Sequence, residues 1–215
     1  MGVDRAPEIS ALGESARAAF EEKHRAREIT IAASRQAIQA CAASIRCTHR
    51  GEYDAAAALA RDAREHLAAA DHAVAGQPDV RTGGPLSDAK KELAEAWLTL
   101  ALVRDLPLPA PGELGIEIAP YCNGLAEAAS ELRRQLLDQL RAGELARAET
   151  LMRAMDEIYS LLVTIDYPDG VTGGLRRTTD ALRAVLERTR GDLTTAMVAA
   201  RLQAAIESAQ RATDD

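Results

Sequence analysis

Two carboxylates lie in an otherwise apolar stretch of the sequence, KKELAEAWLTLALV, which begins at Lys90. At about 100° per residue, Glu92, Glu95 and Thr99 fall on one stripe of a helix whose other faces are apolar. Such a helix is normally buried, and a buried carboxylate is costly unless it is paired, hydrogen-bonded or bound to a cation. Because Mg²⁺ and Mn²⁺ prefer oxygen ligands, the pair is a candidate metal site. The alternative is a solvated first turn, in which Asp88, Glu92 and Glu95 suit the helix dipole.

A second acidic pair lies in the stretch NGLAEAASELRRQLLD, which begins at Asn123. Glu127 and Glu131 stand four residues apart on one helix face, where like charges repel unless a positive group lies between them. This pair is a second group of candidate oxygen ligands. The alternative is a solvated polar face on which Arg134 is the ion-pair partner.

Motifs of several other kinds of site are absent from the sequence. It has no GxxxxGK[ST] or GxGxxG loop for phosphate and no GxSxG nucleophile elbow. A ferritin-like di-iron site needs two ExxH motifs, and only Glu21 and His24 form one. These two residues are expected to form a salt-bridging pair on the surface.

Hydrophobic spacing predicts helices throughout the chain and no strand. Apolar residues recur at helical intervals in the first helix, and Leu59 and Leu67 are expected on the inner side of the second. The candidates for the core of the first helix are Phe20, Ile29, Ile31, Ala32, Ile38, Ala42 and Ile45. The seven predicted helices span about residues 8–50, 53–74, 88–103, 120–141, 144–166, 175–190 and 192–212.

Turn formers and capping residues set the boundaries of these helices. The segment 76–88, GQPDVRTGGPLSD, is predicted to be a loop, with Ser87 or Asp88 capping the third helix. The same helix is expected to stop before DLPLPAPGE. Gly191 is predicted to separate the last two helices.

Composition favours one large helical domain. The chain has 215 residues, 47% of them hydrophobic and only 3% aromatic, so the core must be aliphatic. We expect a single all-α domain over 1–215, flexible at 1–7 and frayed at 213–215. No segment has the length of a membrane span or the pattern of a signal peptide, and the scattered Cys41, Cys47 and Cys122 suit buried thiols. A cytoplasmic location without a membrane partner is expected.

The second half of the sequence closely resembles the translin family, particularly its archaeal and bacterial members. Four segments carry the resemblance: GLAEAASELRR from Gly124, EIYSLL from Glu157, DYPDGVTGGLRR from Asp166 and LERTRGDLT from Leu186. ELAEA, from Glu92, adds to them. The resemblance implies a seven-helix bundle of the translin type.

The resemblance also implies a catalytic site. Translin-associated factor X carries the family's ribonuclease site, which resembles a Glu-x-x-Glu on one helix and an Asp-x-x-x-Glu on the next. Glu92 and Glu95 match the first motif, and Glu127 and Glu131 match the second. Glu127 departs from the family's aspartate, which lengthens one ligand arm by a methylene, and Leu93 replaces a frequent aromatic residue. All four glutamates are therefore predicted as catalytic residues and as ligands of Mg²⁺ or Mn²⁺.

The activity implied is metal-dependent cleavage of single-stranded or flexible RNA by an endoribonuclease inside an oligomeric shell. The net charge of −7 means that RNA must meet a local basic patch, for which Arg133, Arg134, Arg176 and Arg177 are the candidates. The resemblance implies a homo-oligomer such as an octamer, or a hetero-oligomer with a translin-like paralogue. One alternative is a non-catalytic scaffold that binds RNA or single-stranded DNA. Another is a purely structural helical adaptor.

Overall fold

A computed structural model of the protein describes residues 4–77 and 84–214. The described residues form helices joined by loops and contain no strand, which confirms the predicted all-α class. Within the described ranges six helices are long, and α4 and α7 are single turns. The helices are α1 (Ala6–His49), α2 (Tyr53–Ala73), α3 (Gly84–Val103), α4 (Pro111–Leu114), α5 (Ile118–Ala142), α6 (Leu145–Leu162), α7 (Asp169–Thr172) and α8 (Leu175–Asp214).

The long helices pack side by side as a bundle. α1 lies along α2 and α3, and α3 lies along α5, which in turn packs on α6 and α8. One part of the core joins the first three helices to α5, and another joins α5 to α6 and α8. Both parts are built mainly from leucine and alanine, so the core is aliphatic as expected. The arrangement places α3 and α5, which carry the four glutamates, at the centre of the bundle.

The buried face of α1 is made of small residues. The prediction of its core residues is wrong for Phe20 and Ile29, whose exposed fractions are 71% and 47%, and for Ala32, which is exposed as well. Alanine-rich α2 packs so closely on α1 that alanine, serine, threonine and cysteine fill the contact. On α2 the prediction holds fully for Leu67, which is buried, and in part for Leu59, which is half-buried.

Two predicted helix boundaries are wrong. Ser87 and Asp88 lie inside α3, which already includes Gly84, and proline at position 85 suits the first turn of a helix. Gly191 lies within the continuous helix α8. A single glycine costs a helix only about 1 kcal/mol, and buried Leu186 and Leu193 hold both sides of it in the core. Residues 78–83 of the predicted loop lie outside the described part.

The outer ends of α1 and α8 expose large apolar side chains. On α1 these are Ile9, Leu12 and Phe20, and on α8 they are Val198, Leu202 and Ile206. No helix in the described ranges is long and apolar enough to cross a membrane. The predicted flexibility at 1–7 and fraying at 213–215 involve residues outside the described part and stay predictions.

Candidate metal centre

Helices α3 and α5 lie in close contact at Gly124. A Cβ atom at this position would lie 2.6 Å from Ala94 Cβ, 2.6 Å from Lys91 O and 2.9 Å from Glu95 N. Carbon atoms ordinarily pack at about 3.5–4.0 Å, so only glycine allows the helices to lie this close. Glu127 follows Gly124 by one helical turn. The crossing therefore sets the acidic residues of the two helices against each other.

Three of the four predicted glutamates meet at this crossing. Glu92, Glu95 and Glu127 each offer one carboxylate oxygen, and these three oxygens lie within 4.8 Å of one another. Glu92 and Glu127 are half-buried, whereas Glu95 has an exposed fraction of only 9%. We call these three residues the glutamate cluster.

Glu95 is the buried member of the glutamate cluster. No hydrogen bond to its carboxylate occurs within residues 4–77 and 84–214. Its pKa is raised to about 8, first by burial and then by the negative charges of the neighbouring glutamates. At neutral pH and without a cation, this carboxyl group therefore mostly keeps its proton.

The negative charge of the glutamate cluster also affects the pKa of the Cys41 thiol on α1. The pKa of Cys41 is raised to about 12, mainly by burial and then by the charges of Glu92 and Glu95. All three cysteines are buried and free, as predicted. A thiol with so high a pKa is a poor nucleophile, because the thiolate is the reactive form.

Lys91 supplies positive charge to the glutamate cluster. Its Nζ donates to Glu127 Oε1 at 2.8 Å and lies 3.4 Å from Glu92 Oε1. Burial lowers the pKa of Lys91, but its interactions with these two carboxylates outweigh burial and raise it above the ordinary value. Sequence reasoning considered Arg134 as the partner of the second acidic pair, and the structure places Lys91 in contact with Glu127 instead.

Glu131 lies next to the glutamate cluster with a partner of its own. His49 Nε2 lies 2.6 Å from Glu131 Oε2, and the histidine side chain is only 3% exposed. His49 Nδ1 is buried and has no hydrogen-bond partner among the described residues. Glu131 also contributes to the raised pKa of Glu95, so it belongs to the same electrostatic environment. Sequence reasoning missed His49, because nothing in the spacing of α1 points to α5.

The four predicted RNA-binding arginines divide into two groups. Arg133 and Arg134 line a shallow groove together with Glu131, and Arg176 lines a different depression beside α6. Two of the four have acidic partners: Arg133 pairs with Asp192 at 2.7 Å and Arg176 with Asp166 at 3.6 Å. Arg134 and Arg177 make no side-chain hydrogen bond or ion pair with the described residues.

The ExxH pair of α1 has no role at this site. Glu21 and His24 are exposed, and the partner of Glu21 is Arg25, at 4.0 Å. Both residues are on the surface, as expected, but the prediction that they pair with each other is wrong, because Glu21 pairs with Arg25 instead.

The glutamate cluster fits a hard divalent cation. Its three oxygen donors come from two helices, and the single ammonium of Lys91 does not neutralise three carboxylates. Mg²⁺ and Mn²⁺ take carboxylate oxygens and keep several waters, which suits a site that is partly open to solvent. The buried, unbonded carboxyl group of Glu95 is the feature that a bound cation would stabilise most.

Comparison with known proteins identifies relatives along most of the chain. No protein-family profile matches the sequence. An uncharacterized protein of Methanocaldococcus jannaschii is 35% identical over 113 residues, which cover 52% of this chain. The chain spans about half of the length of this curated relative, the matched part being 50% of it.

Solved structures match the fold more completely. AfC3PO superposes with a TM-score of 0.78 and 30% identity over 86% of this chain and 97% of its own. AfC3PO in complex with duplex RNA gives the same TM-score at 29% identity, over 86% of this chain and 96% of its own. Apo-NeC3PO, at 19% identity, shares the fold with a TM-score of 0.70 over 88% of this chain and 97% of its own. The resemblance read from the sequence is confirmed, and this chain belongs to the translin family.

Proposed function

We propose that the protein is a metal-dependent endoribonuclease of the type of translin-associated factor X. The observation that carries this proposal is the glutamate cluster, in which oxygens of Glu92, Glu95 and Glu127 lie within 4.8 Å around a buried carboxyl group. A buried acid without a hydrogen-bond donor is unfavourable on its own and becomes favourable when a cation binds. The acidic pairs Glu92/Glu95 and Glu127/Glu131 have the spacing of the family's ribonuclease motifs, and the contact between α3 and α5 brings the two pairs together. This also supports a role in metal-dependent cleavage.

The residues of the site have different tasks in this proposal. Glu92, Glu95 and Glu127 hold the cation, and Glu131 lies outside that set and is bonded to His49. When bound, Mg²⁺ or Mn²⁺ supplies an activated water and stabilises negative charge on the scissile phosphate. The His49 bond occupies Glu131 Oε2 and leaves Oε1 to orient the attacking water. His49 is thus a positioning residue for Glu131.

RNA is the proposed substrate. The structure of the relative AfC3PO was solved in complex with duplex RNA, which supports RNA as a ligand of this fold. Arg134 is exposed in the groove that also contains Glu131, so an RNA backbone bound there would lie next to the acidic site. We propose single-stranded or flexible RNA as the preferred form, because a phosphodiester in a regular duplex is harder to place against a partly buried site.

An oligomeric shell is the proposed setting. The exposed apolar residues at the outer ends of α1 and α8 support association with other subunits, since apolar patches of this kind mark interaction sites. A homo-octamer and a hetero-oligomer with a translin-like paralogue are both compatible with these surfaces. Light scattering on the purified protein distinguishes them, because the first assembles alone and the second stays small until its partner is added.

A second candidate function is a non-catalytic RNA-binding scaffold. Lys91 favours it, because an ammonium 2.8 Å from Glu127 and 3.4 Å from Glu92 stabilises the glutamate cluster without a metal ion. In this case the four glutamates are structural and RNA binding needs no divalent cation.

Cleavage of end-labelled RNA tests the proposal. Wild-type protein and the Glu95→Gln and Glu149→Gln variants are compared with Mg²⁺, with Mn²⁺ and with EDTA, on single-stranded and duplex RNA. Glu149 is an exposed control on α6. We expect metal-dependent cutting of single-stranded RNA by the wild type and the Glu149→Gln variant, and none by Glu95→Gln. RNA binding without cutting by any of the proteins would favour the scaffold.

A further inference from the structure

Two consecutive lysines at the start of the central helix have different environments. Lys90 is 4% exposed and its Nζ donates to Asp71 Oδ1 at 2.9 Å and to Glu117 Oε1 at 3.0 Å, which ties α3 to α2 and to the start of α5. Lys91 is 25% exposed and its Nζ lies against the glutamate cluster. Lys90 is a fixed structural cation, whereas the Lys91 side chain has solvent into which it can move.

The ammonium of Lys91 lies against two of the three carboxylates that would hold a metal ion. Its Nζ is 2.8 Å from both oxygens of Glu127 and 3.4 Å from Glu92 Oε1, and these residues supply two of the three oxygens that a cation would share. A metal–oxygen bond is shorter still, at about 2.0–2.1 Å for Mg²⁺. An ion bonded to the same carboxylates would occupy nearly the same volume and repel the ammonium. The two cations therefore exclude each other.

We propose that Lys91 holds the metal position in the free protein and binds the RNA phosphate once a divalent cation has displaced it. This inference rests on the proposed function. A lysine is a compact point charge on a flexible four-carbon stem, so it can exchange one oxyanion for another within its reach. A displaced Lys91 stays attached to α3 next to Glu92, at the edge of the site where the scissile phosphate would bind. The RNA phosphate then replaces the carboxylates of Glu92 and Glu127 as the partner of the Lys91 ammonium.

The test uses two variants that remove the charge of Lys91 with little change in size and one that keeps the charge. Lys91→Met leaves the apolar stem in place, Lys91→Gln serves if the methionine variant unfolds, and Lys91→Arg keeps the charge. Lys23→Met is the matched control for net charge, since residue 23 lies on α1, 18 residues or about 27 Å along the helix from Cys41. Mn²⁺ affinity is measured by titration calorimetry. The affinity for a fluorescent single-stranded RNA is measured by anisotropy with saturating Ca²⁺, which takes the same oxygen ligands.

The proposal predicts effects of opposite sign on the two affinities. Lys91→Met should bind Mn²⁺ about tenfold more tightly or better, because a competing positive charge is gone, and RNA about three- to tenfold more weakly. Lys91→Arg should stay nearer to the wild type in both measurements, and Lys23→Met should change neither. Equal Mn²⁺ affinity in the wild type and Lys91→Met, or equal RNA affinity, would overturn the proposal. No Mn²⁺ binding by any of the proteins would overturn the proposed function itself.

Discussion

Replacing Gly124 with alanine should destabilise the protein and weaken its metal site. The new Cβ would lie 2.6 Å from Ala94 Cβ and 2.6 Å from Lys91 O. Ordinary carbon contacts are about 1 Å longer, so α3 and α5 must move apart by a distance of that order. Overpacking of this kind costs about 1–3 kcal/mol, and the better helix propensity of alanine returns up to about 1 kcal/mol. We expect a net loss of about 1–2 kcal/mol in the free energy of unfolding.

Gly191→Ala is the matched control for this prediction. Gly191 also lies inside a helix, but a Cβ there would have no atom within 4 Å. Its substitution should therefore raise the free energy of unfolding by up to about 1 kcal/mol. Thermal unfolding should move down by roughly 2–8 °C for Gly124→Ala and up by a few degrees for the control, at about 2–4 °C per kcal/mol.

The same pair of variants connects the helix crossing to the metal site. Mn²⁺ affinity should fall in Gly124→Ala but not in Gly191→Ala. The residues of the glutamate cluster lie on α3 and α5, and only the first substitution moves these two helices apart. A Gly124→Ala protein that is as stable as the wild type and binds Mn²⁺ equally well would refute the argument from close approach.

Three further predictions concern the charged groups at the centre of the bundle. In the metal-free protein the pKa of Glu95 is raised to about 8, so the folded state keeps a proton that the unfolded state loses near pH 4.5. The free energy of unfolding should therefore fall as the pH rises from about 5 to 8. Urea unfolding across this range should show a fall on the order of a few kcal/mol in the wild type and none in Glu95→Gln. Lys90→Met removes the ammonium that Asp71 and Glu117 share. Because both carboxylates are partly exposed to solvent, the free energy of unfolding should fall by about 1–3 kcal/mol, which the urea midpoint reports. His49→Phe should lower the turnover rate but leave the Mn²⁺ affinity within about twofold of the wild type, because the histidine contacts Glu131 rather than the glutamate cluster. His49→Asn keeps a hydrogen-bond donor and should recover part of the turnover rate.

Helical periodicity predicted the elements that carry the site and the faces on which its acids lie. The apolar surroundings of Glu95 indicated a buried carboxyl group before any fold was known, and Glu95 is the buried member of the glutamate cluster. The convergence of α3 and α5 could not be predicted in the same way, because one sequence does not contain helix packing angles. Gly124 lies where the two helices meet. In the sequence, however, a glycine inside a helical pattern indicates only a lower local helix propensity and does not identify a packing contact.

The partners of the acidic residues were the part that local spacing predicted least well. Sequence reasoning considered Arg134, which follows the second acidic pair on its own helix, whereas Lys91 and His49 reach Glu127 and Glu131 from α3 and α1. Interactions between neighbours on one helix can be read from spacing, but those between helices depend on which faces pack together.

The burial pattern of α1 was mispredicted for a related reason. The size of an apolar residue indicates what it would gain from burial, but the distance to the partner helix decides what fits. Against alanine-rich α2 the small residues are buried, and the large ones are left at the margin or on the free end of α1. Gly191 was misread because helix propensity alone does not break a helix whose flanking leucines are buried.

Proton release on metal binding tests the central claim most directly. Calorimetric titration of Mn²⁺ into the protein at pH 7, in two buffers with different heats of ionisation, measures the protons displaced. Because the pKa of Glu95 is about 8 in the metal-free protein, we predict release of about one proton per bound ion, and almost none from Glu95→Gln. Mn²⁺ binding without proton release, or no binding at all, would contradict the assignment of the glutamate cluster as a metal centre.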